Sequence, residues 1–146
     1  MAPIPPHIIA MMLSQATMMK LSLAKDLGVS ALQLLALVLL GTVGGLSIKT
    51  LKDMLSIPGS TLTSTLDSLE KNRLIKRQRS KEDRRQWLLS LSSKGKRLYS
   101  KVLKANGEAL SPALERLSES ERAAFLKIAE EVFSTAHWKK QLLGSA

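Results

Sequence analysis

The stretch STLTSTLDSLEKNRLIKRQRSKEDRRQWLLSLSSKG, residues 60–95, decides the fold. Leu62, Leu66 and Leu69 fall at i, i+4 and i+7, one face of a helix running from Ser60 to about Asn72. Ser60, Thr61, Thr63, Ser64, Thr65 and Ser68 are expected to face outward. A helix with only a structural task normally shows Glu, Lys, Gln and Ala, which favour helix more than Ser or Thr do. Small hydroxyl residues give up that propensity and let another backbone come close. From Leu74 to Arg79 the pattern changes to alternation, with Ile75, Arg77 and Arg79 on one side. Trp87, Leu89 and Leu91 alternate in the same way. Two short strands around the polar tip at residues 80–86 predict a β-hairpin.

Working outward, Ser47 is a candidate N-cap for a short amphipathic helix, Ile48 to Leu55. Ile57-Pro58-Gly59 then turns the chain into the Ser/Thr-faced helix. Before this pair, Ser30 can cap a helix to about Thr42, which Gly41, Gly44 and Gly45 are expected to end. Residues 1–7 are Pro-rich and predict an arm, and Ile8 to about Lys25 predicts a helix apolar over most of its circumference. After the hairpin, Ser92 or Ser93 caps a long helix expected to end near Leu110, where Ser111-Pro112 interrupts it. Ser118 with Glu121 has the spacing of a capping box for a last helix reaching about Trp138. The order is helix, turn, helix, then a hairpin with an Arg-rich tip. The expected fold is mainly α, an α+β winged helix-turn-helix lobe with flanking helices.

Charge points to a polyanionic partner. The formal net charge is +10, and residues 47–104 carry the whole surplus, with fifteen Lys/Arg against five acids. A field concentrated in one segment suits nucleic acid or an anionic surface. A helix in the major groove positioned by phosphate contacts, with an Arg-bearing tip in the adjacent minor groove, would use this layout. Candidate DNA contacts are Ser60, Thr61, Thr63, Ser64, Arg77, Arg79, Asp83, Arg84 and Arg85. Asp83 is the odd member near phosphate, and its expected task is to hold an Arg side chain in one rotamer.

Other chemistries find little support. With no Cys there is no thiol nucleophile, disulfide or Cys-type zinc site. His7 and His137 lie near opposite ends, and no metal set or nucleophile–base pair stands out, so neither an enzyme nor a cofactor is expected. The uncharged run between Asp26 and Lys49 raises a membrane span, but Ser30, Gln33, Thr42, Gly44, Gly45 and Ser47 interrupt it. Its dense apolar part is Ala31 to Leu40, the length of a buried helix. Pro3, Pro5 and Pro6 stand where a signal peptide would be basic. No membrane association is expected, and the cytoplasm is the expected location.

Leu62 to Arg77, Lys81 to Gln86 and Leu89 to Gly95 together resemble the MarR family of bacterial regulators. They are similar to its recognition helix, first wing strand, Asp-x-Arg tip and Leu-Thr-x-x-Gly junction, and together make up 29 of the 146 residues. The resemblance implies a homodimer in which residues 1–28 and 105–146 supply the dimerisation helices and residues 30–104 the DNA-binding lobe. It implies a pseudo-palindromic double-stranded operator, repression, and release by a small phenolic or anionic effector held between dimer region and lobe. Asp83 and Arg85 carry over as the wing pair, Thr61, Thr63 and Ser64 as recognition-helix contacts, and Arg77 as the base closing the first wing strand. Ser92 replaces the usual Thr, Ser64 stands where Arg is frequent, and Arg73 stands where Gly commonly ends the helix. Asn72 is therefore expected to take the left-handed conformation in its place. Lack of Cys excludes thiol-based peroxide sensing. The alternatives are a winged helix for plasmid partition or replication, and one for protein–protein contact. A protein-binding helix should be apolar rather than Ser/Thr-faced.

Overall fold

A computed structural model describes residues 6–80 and 83–133. The elements are α1 (Pro6–Asp26), α2 (Ala31–Val43), β1 (Leu46–Ser47), α3 (Ile48–Leu55), α4 (Gly59–Lys71), β2 (Ile75–Arg79), β3 (Trp87–Leu91), α5 (Ser93–Leu114) and α6 (Glu119–Phe133). The fold is the mainly helical winged helix that the pattern predicts. The arm at residues 1–5, Lys81 and Glu82 of the hairpin tip, and the stretch to Trp138 lie outside the described residues.

The helices start where local chemistry stops the chain from being anything else. Ser30 Oγ accepts from Gln33 N at 3.1 Å while Gln33 Oε1 accepts from Ser30 N at 2.8 Å, so both ends of the first turn are satisfied. Ser47 Oγ accepts from Thr50 N at 3.0 Å and starts α3. Glu121 Oε2 accepts from Ser118 N at 2.8 Å and from its hydroxyl at 2.7 Å. Those bonds, the hydroxyl's first, hold the Glu121 carboxyl below the usual carboxylate range.

One continuous core makes the lobe. Leu37 and Leu40 of α2, Leu51 of α3, Leu62, Leu66 and Leu69 of α4 and Leu89 of β3 are all fully buried. The sheet is antiparallel in the order β1-β3-β2. Ile75 pairs with Leu91, Arg77 with Leu89 and Arg79 with Trp87. One side of the hairpin therefore closes on the core at its base and runs into solvent towards its tip. Thr65 departs from expectation: it is buried, and its hydroxyl donates to Thr61 O at 2.8 Å. Residues 62, 65, 66 and 69 form the complete inner stripe of a helix, and the apolar members alone hide its fourth position.

Three boundaries also differ. Gly41 lies inside α2 rather than ending it, because it makes room for the Tyr99 ring of α5: a Cβ there would sit 2.6 Å from ring carbons. Tyr99 Oη is 3.0 Å from Thr42 Oγ1, which fixes α5 on α2. Pro112 does not end α5, which continues to Leu114. At the end of α4 it is Arg73, with φ 58°, that turns left-handed, while Asn72 keeps φ −80°. Arg73 N donates to Glu70 O at 2.8 Å and Leu74 N to Leu69 O at 2.9 Å, the paired bonds of a Schellman end. That pattern puts the left-handed residue one position beyond Asn72. A left-handed non-glycine costs about 1–2 kcal/mol, so Arg73→Gly should raise stability by about 1 kcal/mol after glycine's own chain entropy is counted. Urea unfolding checks it, and an unchanged or lower midpoint would contradict the assignment.

Outside the lobe the helices carry uncovered apolar surface. Met18 and Leu21 of α1, Leu103 and Leu110 of α5, and Phe125, Leu126 and Ile128 of α6 are all exposed. Among the described residues, no single helix is long and apolar enough to cross a membrane.

Candidate nucleic-acid interface

The outer face of α4 is short-chained and open. Ser60, Thr61, Thr63 and Ser64 are exposed. Thr63 Oγ1 donates to Gly59 O at 2.9 Å and Ser64 Oγ to Thr61 O at 3.0 Å. Those hydroxyls spend their hydrogens on their own helix and turn lone pairs outward. The hydroxyls of Ser60 and Thr61 have no partner among the described residues. Ser68 is half-buried and accepts from Gln33 Nε2 at 2.7 Å, a bond that ties α4 to the first turn of α2. Pro58 is the N-cap of α4 and makes no side-chain cap. The first backbone N–H groups of this helix are thus left for an outside acceptor, where the helix dipole favours an anion.

The hairpin tip is organised around Asp83. Its Oδ1 accepts from Arg85 N at 2.9 Å and its Oδ2 from Gln86 Nε2 at 3.1 Å. Asp83 N donates to Ser80 Oγ at 3.2 Å, Gln86 N to Asp83 O at 2.9 Å, and Ser80 N to Gln86 O at 3.0 Å. The carboxylate was expected to hold an Arg side chain, and among the described residues it holds the Arg85 backbone instead. A side chain this short reaches the amide two residues on more readily than a guanidinium that must fold back. Below the tip, Arg79 Nη1 donates to Arg84 O at 2.9 Å and its guanidinium lies 4.1 Å from the Trp87 ring centroid. The guanidinium groups of Arg84 and Arg85 have no side-chain partner among the described residues, and both residues are exposed.

Arg77 is placed differently from the other arginines. Its side chain is 23% exposed and turned to α4, with Nη2 on Asp67 and Nε 2.8 Å from Glu70 Oε2. Nε is buried and its hydrogen is not aligned on that oxygen, so the second contact is one of charge rather than a hydrogen bond. The predicted residues thus form two groups. Ser60, Thr61, Thr63 and Ser64 share one face, Arg84 and Arg85 sit at the tip, and Arg77 and Arg79 are engaged within the protein. Residue typing gave Gln33 and Trp87 no part in this surface, while the resemblance placed Gly95 in the strand-to-helix junction. Gly95 stands three residues after the capping Ser92, whose hydroxyl accepts from its N–H at 3.0 Å. Among the described residues no group of three or more His, Asp or Glu could hold a metal ion.

The helices before the hairpin, its first strand and its tip match a known pattern in sequence. Residues 27–86 match the sequence model of the MarR family. From α2 to the hairpin tip the sequence belongs to the MarR family. The chain is 32% identical over 98 residues to YfiV, a helix-turn-helix-type transcriptional regulator of Bacillus subtilis, covering 67% of this chain and 61% of that one. It is 36% identical over 88 residues to the organic hydroperoxide resistance transcriptional regulator of the same organism, 60% of each chain. The chain thus aligns with about three fifths of the length of these curated relatives. In three dimensions the MarR-type arrangement extends further. A MarR-family regulator of Listeria monocytogenes, solved in complex with a 26mer DNA, superposes with a TM-score of 0.68 at 24% identity, over 100% of this chain and 98% of that one.

Proposed function

We propose that this chain is a sequence-specific, double-stranded-DNA-binding transcriptional regulator, a repressor released by a small phenolic or anionic ligand, acting in the cytoplasm and not as an enzyme. The observation that carries this reading is the pairing of two surfaces in the MarR lobe. The uncapped, hydroxyl-faced α4 adjoins a hairpin whose Arg84 and Arg85 have no side-chain partner among the described residues. Ser60, Thr61, Thr63 and Ser64 then meet the major groove, and Arg84 and Arg85 the neighbouring minor groove, with Arg79 and Asp83 shaping the tip between them.

The working form in this proposal is a homodimer on a pseudo-palindromic operator. Residues 1–28 and 105–146 pair between subunits, and residues 30–104 form each DNA-binding lobe. The exposed apolar side chains of α1, α5 and α6 support this, since a stretch so apolar is stable only when covered. A cavity of about 330 Å³ between α1, α2 and α5 supports the effector. Its walls are mostly apolar, including Leu21, Leu32, Leu35 and Val38, and Lys20 on its rim supplies a cation.

The test is fluorescence anisotropy with duplex DNA from the region upstream of its own gene, titrated across salt. Two chains per site are expected, and affinity should fall steeply, log K losing about 0.9 per phosphate neutralised for each decade of salt. A flat salt response, or equal affinity for unrelated duplexes, would overturn the proposal. A winged helix used for partition or replication would bind elsewhere than this upstream region.

A further inference from the structure

We propose that Arg77 is a positioning residue, a clasp between wing and recognition helix, and that it makes no phosphate contact of its own. The proposal rests on the DNA-binding reading above and deepens it. Arg77 stands on β2, and its guanidinium reaches back to Asp67 and Glu70, one helical turn apart on α4. Backbone connection between the two elements is brief, only Asn72, Arg73 and Leu74. One left-handed residue lies in that connection, so a small change in its torsions swings the whole hairpin. The side-chain clasp spans the same angle from the other side. It fixes at two points what the turn fixes at one.

Charge gives the clasp a second effect. Asp67 and Glu70 are exposed carboxylates on a helix that faces DNA in the proposed complex. Unpaired, they would repel phosphate. Arg77 offsets them from within the protein, so the neutralisation is present before DNA arrives. Because both carboxylates are exposed, these ion pairs add little to stability. The clasp acts instead on geometry. Once α4 has docked, a fixed wing presents Arg84 and Arg85 at high effective concentration, and a loose wing does not.

Four measurements decide it. R77Q should weaken operator binding about tenfold or more at fixed salt and leave the slope of log K against log salt unchanged. A phosphate contact would lower that slope by about 0.9. The pair D67N/E70Q removes two negative charges from the DNA side and leaves the core untouched. If Arg77 were a phosphate reader held back by its carboxylates, this pair would bind more tightly. The clasp requires weaker binding, and it requires R77Q/D67N/E70Q to be no worse than R77Q alone. In the DNA-free protein both variants should speed amide exchange of the β2–β3 ladder. A slope that falls by about one, or tighter binding by D67N/E70Q, overturns the proposal, and D67N/E70Q decides it should R77Q fail to fold. If the unaltered protein binds no duplex, the DNA reading fails by itself. The exchange measurement then still judges the clasp, and unchanged exchange refutes it.

Discussion

Gly95→Ala should unfold the lobe or lower its stability by at least about 3 kcal/mol. Gly95 is buried in the first turn of α5. A Cβ there would overlap the Leu74 carbonyl oxygen and press on the Leu91 side chain at 3.4 Å. Neither neighbour can move cheaply. Leu74 O already accepts from Ser92 N at 3.0 Å, and Leu74 N completes the Schellman end of α4. Ser92 Oγ donates to Arg73 O at 2.6 Å and accepts from Gly95 N at 3.0 Å. One methyl would therefore push apart the end of α4, the end of β3 and the start of α5. Gly59→Ala is the control, because nothing lies within 4 Å of a Cβ at that helical position and it stands outside the proposed dimer helices. That substitution should be neutral or stabilising by up to about 1 kcal/mol. Circular dichroism through a urea titration separates the two, and equal midpoints would refute the account of the junction.

Asp83→Ala should weaken DNA binding by about 1.5–3 kcal/mol, the range for hydrogen bonds to a charged group, although in the proposed complex it removes a negative charge beside phosphate. Simple Coulomb reasoning gives the opposite sign. The loss follows from geometry. Without the carboxylate, the Arg85 amide and the Gln86 side chain lose their acceptor. The turn that aims Arg84 and Arg85 then relaxes. Asp83→Asn, which keeps an oxygen for the Arg85 amide, should recover part of the loss. Anisotropy at one fixed salt concentration measures all three proteins. Tighter binding by Asp83→Ala would show that the carboxylate does not organise the tip.

Local signals carried much of the fold. Ser47 as a cap, α3 from Ile48 to Leu55 and β3 from Trp87 to Leu91 follow from residues within a few positions of each other. What stayed hidden depends on partners far along the chain. β1 has two residues, too few for any period to show, and exists because Leu46 and Ser47 pair with Leu89 and Leu88. Gly41 continues a helix because Tyr99, 58 positions on, packs over it. Arg77 looked like one more base in a basic segment, and only the fold brings it against Asp67 and Glu70. The hydroxyl face of α4 was legible apart from Thr65, whose hydroxyl disguises an inner position, and Ser68, half-buried against Gln33. Which atoms Asp83 holds depends on the conformation of the tip, which residue types alone do not give.

The way α5 is held has a consequence for how such a protein can change over time. With 22 residues it is a rod about 33 Å long. Its first turns are bedded in the lobe through Gly95, Tyr99 and Val102, while Leu103 and Leu110 beyond them are exposed. A residue inserted after Val102 would leave the lobe intact and rotate everything downstream by about 100°. A seven-residue insertion would nearly restore the original phase and lengthen the rod by about 10 Å. The rod is thus a ruler with a coarse scale. If the proposed dimer holds, the distance between its paired lobes should shift in jumps of whole turns across lineages carrying this architecture, while the lobes' own surfaces drift by single residues.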